Sequence, residues 1–242
     1  SAPEFTKNKF FDECKINYTE NCLTRDDDDD AIIFHSEKKI KRNYSWKELK
    51  SADLKFANYL KNNNIEKNDR IAAILPNIPE TVISFLSTAQ LGAIWSSCSS
   101  DFGKKAIIDR FKQIEPKVLL FSDYYFYNNK KVDTTKIIKD VVNDIPSIEK
   151  IILIPYEFNE TDYQLDFEYD NLCKILQQEI AYSKFEKFNF NHPLYSLYSS
   201  GTTGVPKCIV HSSGGALIQH NNEHVLHCYI NEKDRIFYFT TC

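Results

Sequence analysis

The sequence predicts an α/β fold in which helices flank a parallel sheet, followed by the start of a second lobe. Three observations carry that expectation. Short apolar runs, R-I-A-A-I-L-P (70–76), A-I-W-S-S-C (93–98), K-V-L-L-F-S (117–122) and E-K-I-I-L-I-P (149–155), read as strands buried on both faces. The stretches between them carry helix signals, and strands alternating with helices are the pattern of βαβ units. The chain has 242 residues, 42% hydrophobic and 26% charged, enough to bury a substantial core.

Residues 1–44 read as an arm, irregular through its first thirty residues and ending them in the acidic loop Asp26 to Asp30. Five adjacent carboxylates are a solvated loop rather than a cation site. The lobe proper spans 45–155. It starts at the capping box Ser45-Trp46-Lys47-Glu48, after which Trp46, Leu49, Phe56, Tyr59 and Leu60 recur at helical spacing until Asn62-Asn63-Asn64. Pro79 suits the first turn of the next helix, which Gly92 terminates. Ser99, Ser100 and Asp101 offer caps for a helix over 104–114, which Pro116 blocks. V-D-T-T-K-I-I-K-D-V-V-N-D (132–144) reads as helix. Residues 156–192 form a polar and aromatic connection with one helix near 169–178, and 193–242 open the second lobe.

A net charge of −4 gives no reason to expect nucleic-acid or membrane-surface binding. No apolar run approaches the length of a bilayer span, and the N-terminus lacks a secretory layout. The seven cysteines form no C-x-x-C pair, which suits free thiols in a reducing compartment, so a cytosolic location is expected. Matches to N-x-[ST] at Asn17, Asn43 and Asn159 are then chance. The chain has no methionine and ends in R-I-F-Y-F-T-T-C, which reads as a buried strand; both suggest a piece of a longer chain.

The chemistry concentrates in S-S-G-T-T-G-V-P-K (199–207), set between the strands L-Y-S-L-Y and C-I-V. Gly201 and Gly204 allow a tight turn with inward amides. Ser199, Ser200, Thr202 and Thr203 add hydroxyls, and Lys207 adds a cation at the rim. Such a turn is a polyphosphate cradle. It is not a Walker A loop, since Pro206 stands where that pattern has glycine.

With Y-S-S-G-T-T-G-V-P-K, the chain resembles the adenylate-forming acyl-CoA synthetases. The flanking H-P-L-Y-S-L-Y, C-I-V-H-S-S-G-G, L-I-Q-H-N-N-E-H-V-L-H, L-G-A-I-W-S-S-C-S-S-D-F-G and I-I-D-R-F-K-Q-I-E-P-K are similar to the acetoacetyl-CoA synthetases among them. Ser196 departs from the usual apolar residue of the motif.

The resemblance implies the N-terminal part of a synthetase large domain. It further implies a two-step reaction, ATP and acetoacetate giving an acyl-adenylate and pyrophosphate, then CoA displacing AMP. Ser199, Ser200, Gly201, Thr202, Thr203, Gly204 and Lys207 would grip the ATP phosphates, with Mg²⁺ sharing the charge. Phe102, Gly103, Lys130 and Lys131 would meet CoA. The partners implied are small molecules, with no nucleic acid and no membrane. The family's adenine, ribose and catalytic-lysine segments fall beyond Cys242, so no catalytic residue is expected within this chain, and the chain alone is expected to be inactive.

Other readings stay open. One is another short-chain acyl-CoA synthetase, such as an acetyl-CoA synthetase; another is a non-catalytic nucleotide-binding remnant. A third is a zinc hydrolase built on H-N-N-E-H, with His220 and His224 as ligands, Glu223 as base and His227 following. Near the motifs, His211 and Cys208 read as structural residues, while Trp95 and Tyr198 read equally well as pocket lining or core.

Overall fold

The computed structural model describes residues 10–38, 40–179, 184–199, 204–238 and 240. Ahead of the first apolar run the chain is more ordered than an irregular arm. That stretch holds β1 (Lys15–Ile16), α1 (Tyr18–Cys22) and a hairpin of β2 (Asp30–His35) and β3 (Lys41–Ser45). The cause is long-range and polar. The fully buried Asn17 donates from Nδ2 to the carbonyls of Gln90 (2.9 Å) and Glu186 (2.7 Å), and Thr19 donates to Leu86 O at 2.6 Å. Within the acidic loop, the Arg25 fork holds Asp27 and Lys50 Nζ meets Asp26 at 2.9 Å.

Next comes α2 (Trp46–Asn62), whose capping box forms as expected: Ser45 Oγ accepts from Glu48 N at 3.2 Å, and Glu48 Oε2 accepts from Ser45 N at 2.8 Å. β4 (Arg70–Ile74) leads to α3 (Pro79–Gln90) and then Gly92. Glycine is required there twice over, by φ +67° and by the Phe188 ring, 2.6 Å from where a Cβ would stand. β5 (Ile94–Cys98) precedes α4 (Lys104–Phe111). The N-cap of α4 is Gly103, without a side-chain cap bond, so the expected Ser99, Ser100 or Asp101 caps are not used, and the helix stops three residues before 114.

β6 (Val118–Phe121) runs into a second hairpin, β7 (Tyr124–Tyr127) and β8 (Lys130–Asp133). Asn128 and Asn129 both have positive φ, 48° and 61°, which makes the tight turn. That pairing claims Val132 and Asp133, so α5 (Thr135–Asp144) starts later than its sequence pattern suggests. β9 (Lys150–Leu153) follows, then β10 (Asp170–Asn171) and α6 (Leu172–Ile175) in place of one longer helix. The remaining elements are β11 (Phe188–Asn189), which pairs with β1, then β12 (Pro193–Ser199), β13 (Lys207–Ser212) and α7 (Ser213–Asn221), which continues as π-helical turns over Asn222–His227.

The main sheet has the order β10-β9-β6-β4-β5-β12-β13, parallel throughout except for β13 on β12. Its faces follow the strand alternation. Ile71 and Ala73 of β4 join Phe56 and Leu60 of α2, while Ala72 and Ile74 join Ile107 and Phe111 of α4 and Ile138 and Val141 of α5. The segment expected to open a second lobe therefore begins as two further strands of this sheet, with Tyr195 paired to Trp95. Ile236, Phe237 and Tyr238, expected in a buried strand, are exposed and in no strand.

Candidate functional site

Because β12 runs parallel to β5, its last residue Ser199 lies on the same edge as the carboxyl ends of β4, β5 and β6. In open α/β sheets this edge is where ligands bind. β13 returns antiparallel with Lys207 directly opposite Ser199, so the chain between them leaves and re-enters the sheet at one point. Gly204 has φ +139°, a backbone that a side chain at this position would strain. Ser200, Gly201, Thr202 and Thr203 lie outside the described residues. Lys207 is exposed and Ser199 half-buried.

Beneath the turn, the half-buried Tyr198 places its hydroxyl 3.3 Å from Ser96 Oγ, which donates to Ser196 O at 3.0 Å. Burial pushes the Tyr198 phenol well above its ordinary value, so it stays neutral and packs rather than titrates. Ser196, the departure from the family motif, is itself buried on β12.

Phe102 lies in the turn after β5, with the Arg110 guanidinium 4.7 Å from its ring centroid. Neither φ (−70°) nor any neighbour within 4 Å demands glycine at 103, which leaves open space beside its Cα. Lys130 and Lys131 sit on the β7–β8 hairpin, exposed, with Lys131 Nζ 3.5 Å from the Tyr124 ring centroid. A cavity of about 180 Å³ lies just past the carboxyl ends of β4 and β5, lined by 75–77, 99–101 and 125–127. Ser100 Oγ there is buried and has no hydrogen-bond partner among the described residues. Sequence reasoning gave Ser100 only a capping role and passed over Asn77 and Tyr125 to Tyr127. Their shared signal is position, just past the carboxyl end of an apolar strand.

The other singled-out residues separate. Trp95 is in the core against Phe85, and Cys208 is half-buried on β13. His211 is exposed with its ring 5.0 Å from that of Tyr195. His220 Nδ1 is 3.1 Å from the Tyr18 hydroxyl, and its ring stacks on His224 at 6.0 Å. Burial, helped by His224, holds the His220 imidazole below its ordinary pKa. Glu223 accepts from Gln219 at 2.9 Å. Among the described residues no group of three His, Cys, Asp or Glu side chains is arranged to hold a metal ion.

Comparison with known proteins gives consistent results. The model of the AMP-binding enzyme family matches residues 19–242. Acetoacetyl-coenzyme A synthetase of Rhizobium meliloti (strain 1021) is 41% identical over 236 residues, 97% of this chain and 36% of that protein. Acetoacetyl-CoA synthetase of Xenopus tropicalis is 38% identical, over 96% of this chain and 36% of its own length. The solved structure of the acetoacetyl-CoA synthetase from Streptomyces lividans superposes with a TM-score of 0.86 at 35% identity, covering 94% of this chain and 35% of that one. The chain thus spans about a third of the length of the curated relatives it matches.

Proposed function

This chain belongs to the AMP-binding enzyme family, and from that premise we propose that it forms part of an ATP-dependent acetoacetate–CoA ligase. The observation that carries the reading is the hydroxyl- and glycine-rich turn between Ser199 and Lys207, at the carboxyl edge of a sheet whose whole sequence aligns with acetoacetyl-CoA synthetases.

In this reading Ser199, Ser200, Gly201, Thr202, Thr203 and Gly204 wrap the β- and γ-phosphates of ATP with amides and hydroxyls, and Lys207 faces their charge. Fixing the polyphosphate holds the α-phosphorus in line with the attacking carboxylate. The same donors stabilise pyrophosphate as negative charge collects on it. CoA then approaches along the same edge, over the open space beside Gly103 and the Phe102 ring, with Lys130 and Lys131 near its phosphates. Mg²⁺ would travel with the triphosphate oxygens, supplying charge neutralisation when bound. The partners are small molecules. The cysteines Cys14, Cys22, Cys98, Cys173, Cys208 and Cys228 are all free, which supports a cytosolic setting. Among the described residues no helix is long and apolar enough to cross a membrane.

ATP–pyrophosphate exchange by the full-length protein, with acetoacetate, acetate and butyrate in parallel, tests this. Exchange is expected to be fastest with acetoacetate. Preference for acetate overturns the substrate, and no exchange with any acid overturns the reaction class. The 242 residues by themselves are expected to be silent, because one turn does not hold acid, nucleotide and thiol together.

A further inference from the structure

The two flanks of the 199–207 segment are held from one place, the C-terminal half of α4 and the second residue after it. On the incoming side, the Arg110 guanidinium lies 5.8 Å from the Tyr198 ring centroid and 4.7 Å from that of Phe102, a cation between two aromatic faces. Arg110 Nη1 donates to Ala106 O at 2.7 Å, which fixes the fork on its own helix, and no carboxylate pairs with it among the described residues. On the outgoing side, Gln113 Nε2 donates to Pro206 O at 2.8 Å while also donating to Asp109 O at 2.7 Å. Both side chains are therefore tied to α4 and to the turn at once.

We propose that Arg110 and Gln113 are positioning residues that hold the two flanks of the phosphate-gripping segment, at Tyr198 and at Pro206, before a polyphosphate arrives. The inference rests on the reading above for what the turn grips, but not for the clamp itself. Physically, a turn built on glycine has much backbone entropy to lose on binding. Two tethers to a rigid helix remove part of that freedom in advance, which is how preorganisation raises affinity. Arginine suits the incoming side because a planar guanidinium covers an aromatic face, whereas an ammonium is a strongly hydrated point charge.

The test uses the full-length protein and two readouts. In amide hydrogen exchange without nucleotide, Arg110→Ala and Gln113→Ala are each expected to speed exchange about tenfold in 196–199 and 207–211, with β4 and β6 unchanged. In ATP–pyrophosphate exchange, each is expected to raise the apparent KM for ATP about fivefold and leave the KM for the acid within twofold. Arg110→Lys is expected to stay close to Arg110→Ala.

Unchanged exchange at 196–211 in both variants overturns the clamp, as does loosening spread evenly over the sheet, which marks a merely structural role. Full recovery by lysine overturns the stacking argument. If the unaltered protein shows no pyrophosphate exchange with any acid, the functional reading fails, and the hydrogen-exchange result still decides the clamp.

Discussion

In the middle of the sheet, Val118, Leu119, Leu120 and Phe121 of β6 have no exposed surface; at its edge, Ile209 and Val210 of β13 are 47% and 55% exposed. The two runs look alike in sequence, V-L-L-F against C-I-V. What separates them is cover. β6 has β4 and β9 on its flanks and side chains from α4 and α5 among the residues packed on one face, while β13 pairs with β12 alone. Apolar strands become core only where neighbours close both sides and both faces. Stability therefore gathers at the centre, and the β12–β13 edge, with less to contribute to the core, is open to serve chemistry.

The largest test sets one residue from each region side by side. Phe121 is fully buried and its ring meets those of Phe167 and Tyr169 at 5.9 and 6.4 Å. Phe121→Ala is expected to cost about 3–5 kcal/mol in urea denaturation. Ile209→Ala is expected to cost less than about 1 kcal/mol. Equal losses would break the comparison.

The same division explains what was legible in the sequence. The central strands were readable because each is a continuous apolar run, and Ser45 and Gly92 marked helix ends by local chemistry alone. The β2–β3 hairpin was missed because it is largely solvent-facing and its register slips between Asp30 and Ile32, which breaks the alternation. The β7–β8 hairpin did carry a signal, Asn128-Asn129 between an aromatic run and K-K-V-D, two residues of the type that tolerates positive φ in a tight turn. Around the candidate site, the hydroxyls, glycines and Lys207 were legible as residue types. Their supports were not: Gln113 meets Pro206 across 93 positions, and Asn17 meets Gln90 across 73. No local pattern encodes such contacts.

A second test concerns titration. Asp53 is fully buried in α2; its Oδ1 accepts from Ser87 Oγ at 3.0 Å, and its Oδ2 has no partner among the described residues. Burial pushes this carboxyl up from 3.8 to about 8, against the opposing hydrogen bond from Ser87. The folded state then holds a proton that the unfolded chain releases, so stability falls as pH rises from about 4 to about 8. Asp53→Asn is expected to flatten that decline and to raise stability at pH 8 by about 2 kcal/mol, read from urea midpoints across pH. A parallel downward slope in the variant would remove Asp53 as its cause. His220, whose Nδ1 lies 3.1 Å from the Tyr18 hydroxyl, works in the opposite sense. Its lowered pKa means stability is lost as pH falls below its ordinary 6.5.

A third test separates stability from activity at the edge. Gly204→Ala places a Cβ on a backbone at φ +139°, with nothing within 4 Å for it to strike. The effect is thus on the turn's conformation rather than on packing. Pyrophosphate exchange by the full-length protein is expected to fall about tenfold while the thermal midpoint moves by less than about 2 °C. A large fall in the midpoint would mean that the turn is part of the core after all.

The smallest effect comes from one capping chemistry used in both regions. Ser45 caps α2, and its Oγ accepts from Glu48 N in a reciprocal box; Ser212 caps α7, and its Oγ accepts from Gly215 N at 3.3 Å with no return bond from a side chain. Helix α2 buries Leu49, Phe56 and Leu60, so fraying its first turn loosens the central core. Helix α7 buries only Ser213, Gly214 and Ala216, and it runs on into turns with no buried residue. Ser45→Ala is expected to lower global stability by about 1 kcal/mol. Ser212→Ala is expected to leave the global midpoint nearly unmoved and to speed amide exchange only over 213–221, since a local opening there disrupts little else. If Ser212→Ala instead matched Ser45→Ala in urea, α7 would belong to the same cooperative unit as the sheet centre. The contrast between a stabilising middle and a working edge would then have to be redrawn on the far side of β13.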